Sequence, residues 1–435
     1  MIARLLRHQA GIKVLALKGT EALAGAAMTI YLARILGPSA FGVFAFGLAT
    51  IMLLAIPVKN GASTLITKHV AIARERSGAE QAGPLLATGL RLSLLYAGVP
   101  IVCLWTVVAV SENANAFVVS VALFSLALPF LCLTGLMEGV LRGSFRPNAA
   151  ILVGTVLVPL LVLATAFLLT EQMQAQGWMF AVAAYIAAAI AITVMSLLLS
   201  RPYLHHLLPV PKEDRMGGRQ WLHLVAPFAI VTGLLIFNRQ IDTILLGVLA
   251  GEKEAGIYRI AAQASVLVTF GMQAIGHLYS PYLATADKAA APSKISGYLR
   301  KSVIFSVAFG LLALVTLAIW GDEIIRLLAG PEYLPAYPVM LVLCTANLAV
   351  AVNGATMQAL YMQGHQKRTA WIFFASGVFS VAANMTLIPY LGINGAAIAS
   401  SAAIVTWSLG LRWLACGVWH LSFLTLSPRD QEFQR

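Results

Sequence analysis

The sequence predicts an all-α integral membrane protein with twelve transmembrane helices in two six-helix lobes. The first observation is composition, because 60% of the 435 residues are hydrophobic and 11% are charged, against about 25% charged in an ordinary soluble domain. The second is length, because apolar stretches of about 18 residues or more recur along the chain, and each can cross a hydrocarbon core about 30 Å thick. The third is the placement of positive charge, which alternates from loop to loop.

Hydropathy places the twelve helices in order along the chain. The predicted spans are 14–35, 42–64, 85–110, 116–140, 149–170, 178–200, 221–249, 257–284, 302–320, 338–362, 370–390 and 394–420. No long polar segment separates them, so the sequence has no room for a soluble catalytic domain. Lys18 and Glu21 interrupt the first apolar stretch, which also lacks a small-residue cleavage site. We therefore expect a retained first helix rather than a signal peptide.

The lysines and arginines test the orientation of these spans. If the amino terminus is cytoplasmic, 20 of the 29 fall in cytoplasmic segments, and only Lys253 and Arg326 fall in the opposite loops. Positive charge concentrates on the cytoplasmic side of membrane proteins, so the distribution predicts twelve spans with both termini in the cytoplasm. The remaining seven lie within the spans and are Lys18, Arg34, Lys59, Arg91, Arg239, Arg259 and Arg412.

The chain divides into two halves around its longest cytoplasmic loop. We predict an amino-terminal lobe at 1–200, a cytoplasmic linker at 201–220, a carboxy-terminal lobe at 221–420 and a cytoplasmic tail at 421–435. Weak self-similarity relates the halves at offsets of 214, 221 and 218 residues, measured between Gly42 and Gly256, Gly143 and Gly364, and Gly177 and Gly395. Such offsets favour two related six-helix units, as in transporters whose substrate site lies between repeats. The alternative is that small-residue loops between membrane helices resemble one another in any case.

The charges within the spans are the main functional signal. Charged side chains inside a membrane are costly, and they normally face a protein interior or a wet cavity. A path lined mainly by cations implies an anionic cargo, and Arg and Lys are natural partners of phosphate. Lys18 with Glu21, and Arg239 with Asp242, share a helix face at i,i+3 spacing. The structural alternative is that each pair neutralises itself and only helps the helices to pack.

Other embedded residues also have structural interpretations. Arg34, Arg259 and Arg412 are alternatively anchors near the membrane interfaces, and we favour that interpretation for Arg412. Glu138 is either a proton-linked carboxylate or a cap that faces a loop. The four cysteines lie in apolar stretches without a CxxC pattern, so we expect small buried side chains rather than a metal site or a disulfide.

Missing motifs narrow the class of protein. The sequence contains no GxxxxGK[ST] phosphate loop and no HExxH pattern, so neither ATP hydrolysis nor zinc chemistry is expected. A gradient-driven carrier, and not an enzyme, is what the sequence favours.

Four stretches carry a family resemblance. They are "LKGTEALAGAAMTIYLARILGPSAFGVFAFGLA", "NRQIDTILLGVLAGEKEAGIYRIAAQ", "GPEYLPAYPVMLVL" and "MQGHQKRTA". They resemble bacterial polysaccharide exporters and Wzx-type O-antigen flippases of the MOP superfamily, which also contains MATE exporters and lipid II flippases. The resemblance implies a MATE-like, V-shaped bundle of two lobes. It also implies movement of a polyprenyl-pyrophosphate-linked oligosaccharide from the inner to the outer leaflet through a cationic central cavity.

The embedded charges and the resemblance together define a mechanistic hypothesis. The predicted substrate-binding residues are Lys18, Lys59, Arg91, Arg239, Arg259 and Arg34. The first three would hold the pyrophosphate in the inward-open state, and Arg239 with Arg259 would receive it nearer the outside. The predicted coupling residues are Asp242, Glu21 and Glu138, which would bind H⁺ or Na⁺. No other cofactor and no metal site is expected.

The resemblance also implies partners and a location. We expect a bacterial inner-membrane protein that binds an undecaprenyl-pyrophosphate-linked glycan and membrane lipids, and that binds no nucleic acid. A polysaccharide polymerase and a chain-length regulator are the expected protein partners. One alternative is a MATE-like exporter of cationic drugs, in which acids should outnumber bases inside the lobes. The other is a non-transporting scaffold for glycan assembly, whose embedded charges should pair without a cationic surplus.

Overall fold

The described part of the chain is helical almost throughout. The computed structural model describes residues 2–75, 82–111, 115–171, 175, 177–207, 216–284 and 291–423. The α-helices are α1 (Ile2–Leu54), α2 (Ser63–Glu75), α3 (Ala82–Val110), α4 (Ala116–Ser125), α5 (Leu128–Gly143), α6 (Pro147–Ile151), α7 (Leu157–Leu168), α8 (Trp178–Leu207), α9 (Gly218–Leu249), α10 (Glu252–Ala284), α11 (Ala291–Leu328), α12 (Ala336–Ala351), α13 (Thr356–Met362) and α14 (Gln366–Trp419). Two π-helices, Ile56–Ala62 and Leu152–Val156, and a 3₁₀-helix at Pro331–Tyr333 lie between them.

The two longest helices, α1 and α14, each contain two segments joined at a glycine. They have 53 and 54 residues, and a straight helix of that length would extend about 80 Å, far beyond a hydrocarbon core. The breaks are at Gly37 (φ 74°) and Gly392 (φ 54°). Residues with a Cβ rarely adopt such positive φ angles. Pro38 follows the first break, in a position where proline readily starts a new helical segment.

Length and composition make this a multi-pass membrane protein. Seven helices of the described chain are long and apolar enough to cross a membrane, and α4 with α5, which are bent by 45°, would make an eighth. Large apolar side chains cover their outer faces: on α3, Leu95, Val99 and Val102 are 59%, 64% and 62% exposed. Water opposes so large an exposed apolar surface, whereas lipid accommodates it. The count of twelve spans is consistent with these helices and stays a prediction.

The chain forms two compact units. One unit is Ile12–Gly247, and the other contains Val248–Arg435 together with Met1–Gly11. Helix α9 belongs to the first unit because its side chains pack on earlier helices. Trp221 is buried and donates a hydrogen bond from Nε1 to the Leu85 carbonyl at 3.2 Å. The lobe boundaries inferred from the sequence stay a prediction, and residues 208–215 of the expected linker lie outside the described residues.

Two turns in the two units have the same backbone conformation. After α5, Phe145 has φ 59°, and Arg146 donates its backbone N–H to the Leu141 carbonyl at 2.9 Å. After α13, Gly364 has φ 86°, and the residue that follows it donates to the carbonyl five positions earlier, also at 2.9 Å. This is the 6→1 hydrogen bond that ends many helices. The same hydrogen bond also follows His420 (φ 51°), where Leu421 donates to the Cys416 carbonyl at 3.1 Å, so the relation between the halves stays a prediction.

The cysteines follow the expectation at three of four positions. Cys132, Cys344 and Cys416 are buried free thiols. The prediction is wrong for Cys103, which is exposed. Its helix, α3, presents an apolar face to the surroundings, so an apolar stretch of sequence did not imply a side chain enclosed by protein.

Arg412 is not the interfacial anchor that we favoured. Its side chain is buried within the described protein, with only 6% of its surface exposed. The guanidinium donates from Nε to the Phe423 carbonyl and from one terminal nitrogen to the Val352 carbonyl, both at 2.8 Å. Val352 is the capping residue that follows α12, at a helix end where carbonyls lose their intrahelical partners. Arg412 therefore stabilises a helix end inside the protein.

Candidate functional site

A π-helix carries the first embedded cation. Lys59 lies in the π-helix Ile56–Ala62, which continues the second segment of α1 and contains Pro57. Proline has no backbone N–H, so it interrupts the regular α-helical hydrogen bonds. π-helical turns widen a helix and occur frequently at functional sites. The Lys59 side chain is half-buried.

A stripe of glycines on α5 holds this π-helix and α2 in place. Gly135, Gly139 and Gly143 recur every four residues, so they lie on one face of α5. A Cβ at Gly135 would lie 2.6 Å from the Lys59 Cα, and one at Gly139 would lie 2.7 Å from the Ser63 carbonyl oxygen. Small residues at this spacing let membrane helices approach closely. The backbone at Lys59 is therefore fixed by direct packing on α5.

Glu138 lies on the same helix, and its carboxylate is enclosed. The side chain forms an ion pair with Arg142, one turn further along α5. On another side, a Cβ at Gly154 in the π-helix Leu152–Val156 would lie 2.7 Å from the Glu138 Oε1. Glu138 also attracts Lys59 electrostatically. The carboxylate thus lies against the second π-helix and within electrostatic range of the first, and the alternative of a loop-facing cap does not describe its buried position.

The first segment of α1 contains the predicted pair Lys18 and Glu21. The Lys18 Nζ lies 2.6 Å from the Glu21 Oε2, and about 30% of each side chain is exposed (31% and 29%). The pair is therefore formed, as the i,i+3 spacing allows. Neither side chain is fully enclosed by protein.

Helix α9 runs antiparallel to the second segment of α1. Gln240 donates from Nε2 to the Met52 Sδ at 3.3 Å, and a Cβ at Gly233 would lie 3.0 Å from Ile56. Lower numbers on α9 thus face higher numbers on the other helix. This register places Arg239 nearly level with Met52. Lys59 lies seven residues beyond Met52, which is about 10 Å along the helix axis.

The two members of the predicted α9 pair have different surroundings. Asp242 is buried, with 8% of its surface exposed, whereas Arg239 is exposed. An exposed guanidinium far inside a span would cost at least about 3 kcal/mol against lipid. The exposed face of α9 at Arg239 is therefore expected to border water rather than acyl chains.

Glu21 interacts with three of the five embedded cations of this unit. Besides its ion pair with Lys18, its carboxylate attracts both Lys59 and Arg239 electrostatically. We name these four residues, Lys18, Glu21, Lys59 and Arg239, the Glu21 cluster. Three positive charges and one negative charge leave it with a cationic surplus, because Glu138, which attracts Lys59 more strongly than Glu21 does, is paired with Arg142.

The structure does not bring the other predicted substrate-binding residues to this cluster. Arg34 is exposed on α1, and it lies 13 residues beyond Glu21, or about 20 Å along the helix. Arg91 is exposed on α3, next to Leu92, whose side chain faces Gly218 at the start of α9. Gly218 is 21 residues from Arg239, which is about 30 Å.

The remaining predicted cation, Arg259, belongs to the other compact unit. It is half-buried on α10 and follows Tyr258 in the sequence. The Tyr258 hydroxyl donates to the Ser400 Oγ on α14 at 2.9 Å. This arrangement fixes the start of α10 against α14.

Two features near the site were missed from the sequence. The glycine stripe on α5 is visible as "GLMEGVLRG", and its four-residue spacing was the available signal. The ion pair of Arg142 with Glu138 also follows an i,i+4 spacing. The π-helices left no comparable signal, because widened turns depend on the packing of neighbouring helices.

The described residues offer no group of metal ligands, and the groove found among them lacks charged side chains. No three His, Cys, Asp or Glu side chains of the described residues lie together as a metal site would require. A shallow groove of about 480 Å³ lies between α12 and α14, and its described lining residues carry no charge. The Glu21 cluster is thus the most chemically distinctive site of its unit.

Comparisons with known proteins agree with this architecture. A curated relative, the probable low-salt glycan biosynthesis flippase Agl15 of Haloferax volcanii, is 21% identical over 377 residues, which covers 85% of this chain and 75% of the relative. The lipid II flippase MurJ in an inward closed conformation superposes with a TM-score of 0.72 at 13% identity, covering 92% of this chain and 86% of MurJ. An inward-facing multidrug resistance MATE transporter of the MOP superfamily superposes with a TM-score of 0.69 at 15% identity, covering 92% and 96%.

These likenesses establish the fold and the family. The structural neighbours share a MATE-like helical fold with this chain, and they are transporters or flippases rather than enzymes. The family described as "Polysaccharide biosynthesis protein" matches residues 10–286, which is more than half of the sequence. The chain belongs to the polysaccharide biosynthesis protein family of membrane proteins.

Proposed function

We propose that this protein is a flippase of glycan biosynthesis. Its cargo is a polyprenyl-pyrophosphate-linked oligosaccharide, with undecaprenol as the lipid, which it moves from the cytoplasmic to the outer leaflet of a bacterial inner membrane. The oligosaccharide then serves polysaccharide assembly, as O-antigen, capsule or exopolysaccharide. Family membership and the curated flippase relative support the class of reaction.

The observation that carries the proposal is the cationic surplus of the Glu21 cluster. The Glu21 carboxylate forms an ion pair with Lys18 and attracts Lys59 and Arg239 at longer range. A pyrophosphate diester carries the opposite charge and several strong acceptor oxygens, which suit Lys and Arg donors. A carrier of cationic drugs would need the reverse balance of charge. A scaffold would have no use for an unbalanced, exposed arginine inside a span.

The cations of the cluster lie at different depths along the helix axes, which favours a series of binding positions for the cargo over a single binding site. Lys59 and Arg239 lie about 10 Å apart along the helix axes, and Glu21 attracts both. A pyrophosphate could pass from one cation to the other without leaving the range of positive charge. The roles expected for Arg34, Arg91 and Arg259 in binding the cargo stay predictions.

We assign gradient coupling to the buried carboxylates. Asp242 and Glu138 are both largely enclosed by protein, where binding of H⁺ or Na⁺ has a large electrostatic effect. In vesicles, a proton ionophore and a sodium ionophore should then have different effects on flipping. Equal flipping with both gradients removed would contradict gradient coupling without affecting the assignment of the cargo.

Deletion and complementation test the cargo. Deleting the gene should cause lipid-linked oligosaccharide to accumulate in the cytoplasmic leaflet, measured by its accessibility to a glycan-modifying enzyme in inside-out vesicles. Wild-type protein should reverse the accumulation, and Lys18→Ala, Lys59→Ala and Arg239→Ala should each fail to do so at equal expression. Arg326→Ala, which removes an exposed arginine outside the cluster, is the matched control. Full complementation by all three cluster variants would refute the cationic path.

A further inference from the structure

The Glu21 carboxylate holds a position that a phosphate group would also favour. It lies 2.6 Å from the Lys18 ammonium, and it attracts two further cations on other helices. A carboxylate and a phosphate offer the same chemistry to Lys and Arg, namely negative oxygen atoms that accept charge-assisted hydrogen bonds. A bound pyrophosphate would therefore compete with Glu21 for the same donors.

We propose that Glu21 is a built-in substitute for the cargo's pyrophosphate, which occupies the cationic cluster when the carrier is empty and is displaced when cargo binds. This inference rests on the proposed function. It assigns Glu21 a role in setting affinity, in place of the coupling role expected from the sequence.

A carboxylate at Glu21 lowers the electrostatic cost of the cationic cluster when no cargo is bound. Without an anion, the cluster contains three positive charges in or near spans, and closing a cavity around uncompensated charge is costly. The Glu21 side chain neutralises part of that charge internally. The same negative charge repels an incoming pyrophosphate, so it lowers cargo affinity and helps release. Partial exposure of both Lys18 and Glu21 leaves room for this exchange without unfolding the helix.

The test compares pyrophosphate binding between charge variants. Purified full-length protein is titrated with inorganic pyrophosphate at fixed ionic strength by calorimetry. Glu21→Gln should bind pyrophosphate at least about fivefold more tightly than wild type, because one like charge a few ångströms away is removed. Glu323→Gln removes the same charge from an exposed position in the other unit and should bind like wild type. Lys18→Met should bind more weakly.

A second readout separates this role from a structural one. In a flipping assay, Glu21→Gln should lower both the apparent KM and the maximal rate, because tighter cargo is released more slowly. If Glu21→Gln misfolds, Glu21→Asp keeps the charge but shortens the reach to Lys18, and it should bind pyrophosphate more tightly than wild type. Unchanged or weaker binding by a folded Glu21→Gln, or no pyrophosphate binding by any form, would overturn the inference.

The results also separate this inference from the proposed function. One outcome is that purified Glu21→Gln protein binds pyrophosphate more tightly while deletion of the gene causes no accumulation of lipid-linked oligosaccharide. That pair of results would support the anion site and reject the flippase assignment. Normal dependence of flipping on the cluster cations, with no effect of Glu21→Gln on affinity, would support the flippase and reject the substitute role.

Discussion

Substituting Gly135 by alanine should disturb the cationic site through the backbone alone. The new Cβ would lie 2.6 Å from both the Cα and the carbonyl oxygen of Lys59, whereas carbon atoms pack at about 3.5–4.0 Å. Relief requires the π-helix and α5 to separate by about 1 Å, since neither contact involves a flexible side chain. Overpacking of this kind costs about 1–3 kcal/mol, and the better helix propensity of alanine returns up to about 1 kcal/mol.

The assay is thermal unfolding of the purified full-length protein, followed by the flipping measurement. Gly135→Ala should lower the unfolding midpoint, and the surviving folded protein should flip cargo more slowly because Lys59 is displaced. Gly98→Ala is the matched control, because nothing lies within 4 Å of a Cβ at that position in α3. It should leave the midpoint unchanged or raise it. Equal stability and equal activity of Gly135→Ala and wild type would refute close packing of α5 on the π-helix.

Three further predictions concern other parts of the chain. Arg412→Ala should destabilise the protein by about 2–4 kcal/mol through two lost charge-assisted hydrogen bonds, and Arg412→Lys should recover part of that loss; equal midpoints for the two variants would argue against the backbone bonds. Cys132→Ser should lower the unfolding midpoint, because it places a hydroxyl in a fully buried site, whereas Cys103→Ser, on the exposed face of α3, should change the midpoint much less; equal shifts in the two variants would contradict their different exposure. Partial burial and the neighbouring Lys68 lower the pKa of His69. Its neutral form is therefore favoured in the folded state, and stability should fall as the pH drops below about 6.5. His69→Gln should lessen that fall in midpoint, and an unchanged pH profile would refute the contribution.

Local spacing predicted some contacts of the site correctly. Lys18 and Glu21 form the ion pair that their i,i+3 positions allow, because residues three apart on a helix always lie on neighbouring parts of its surface. The same rule was less informative on α9, where Arg239 is exposed and Asp242 is buried. Helical spacing specifies which side chains are close along one helix, but the neighbouring helices decide how each is covered.

Arg412 and Arg91 show that the position of a cation within an apolar stretch does not predict whether its side chain is buried. Both are single cations within apolar stretches, and hydropathy cannot distinguish them. One is buried and bonded to two backbone carbonyls, and the other is exposed beside the start of α9. The difference arises from the breaks and ends of distant helices, which expose carbonyls that only a folded chain can present.

The sequence by itself determined that this is a helical membrane protein, because length and hydrophobicity must match the bilayer whatever the packing. Its local similarity also indicated the right family, and its embedded charges predict a binding site for an anionic cargo. Only the tertiary structure decided that Glu21 attracts cations from three parts of the chain, and that most of α9 belongs to one compact unit with the helices that precede it. These relations join residues more than 200 positions apart, and glycine contacts that no hydropathy pattern records fix the distances between their helices.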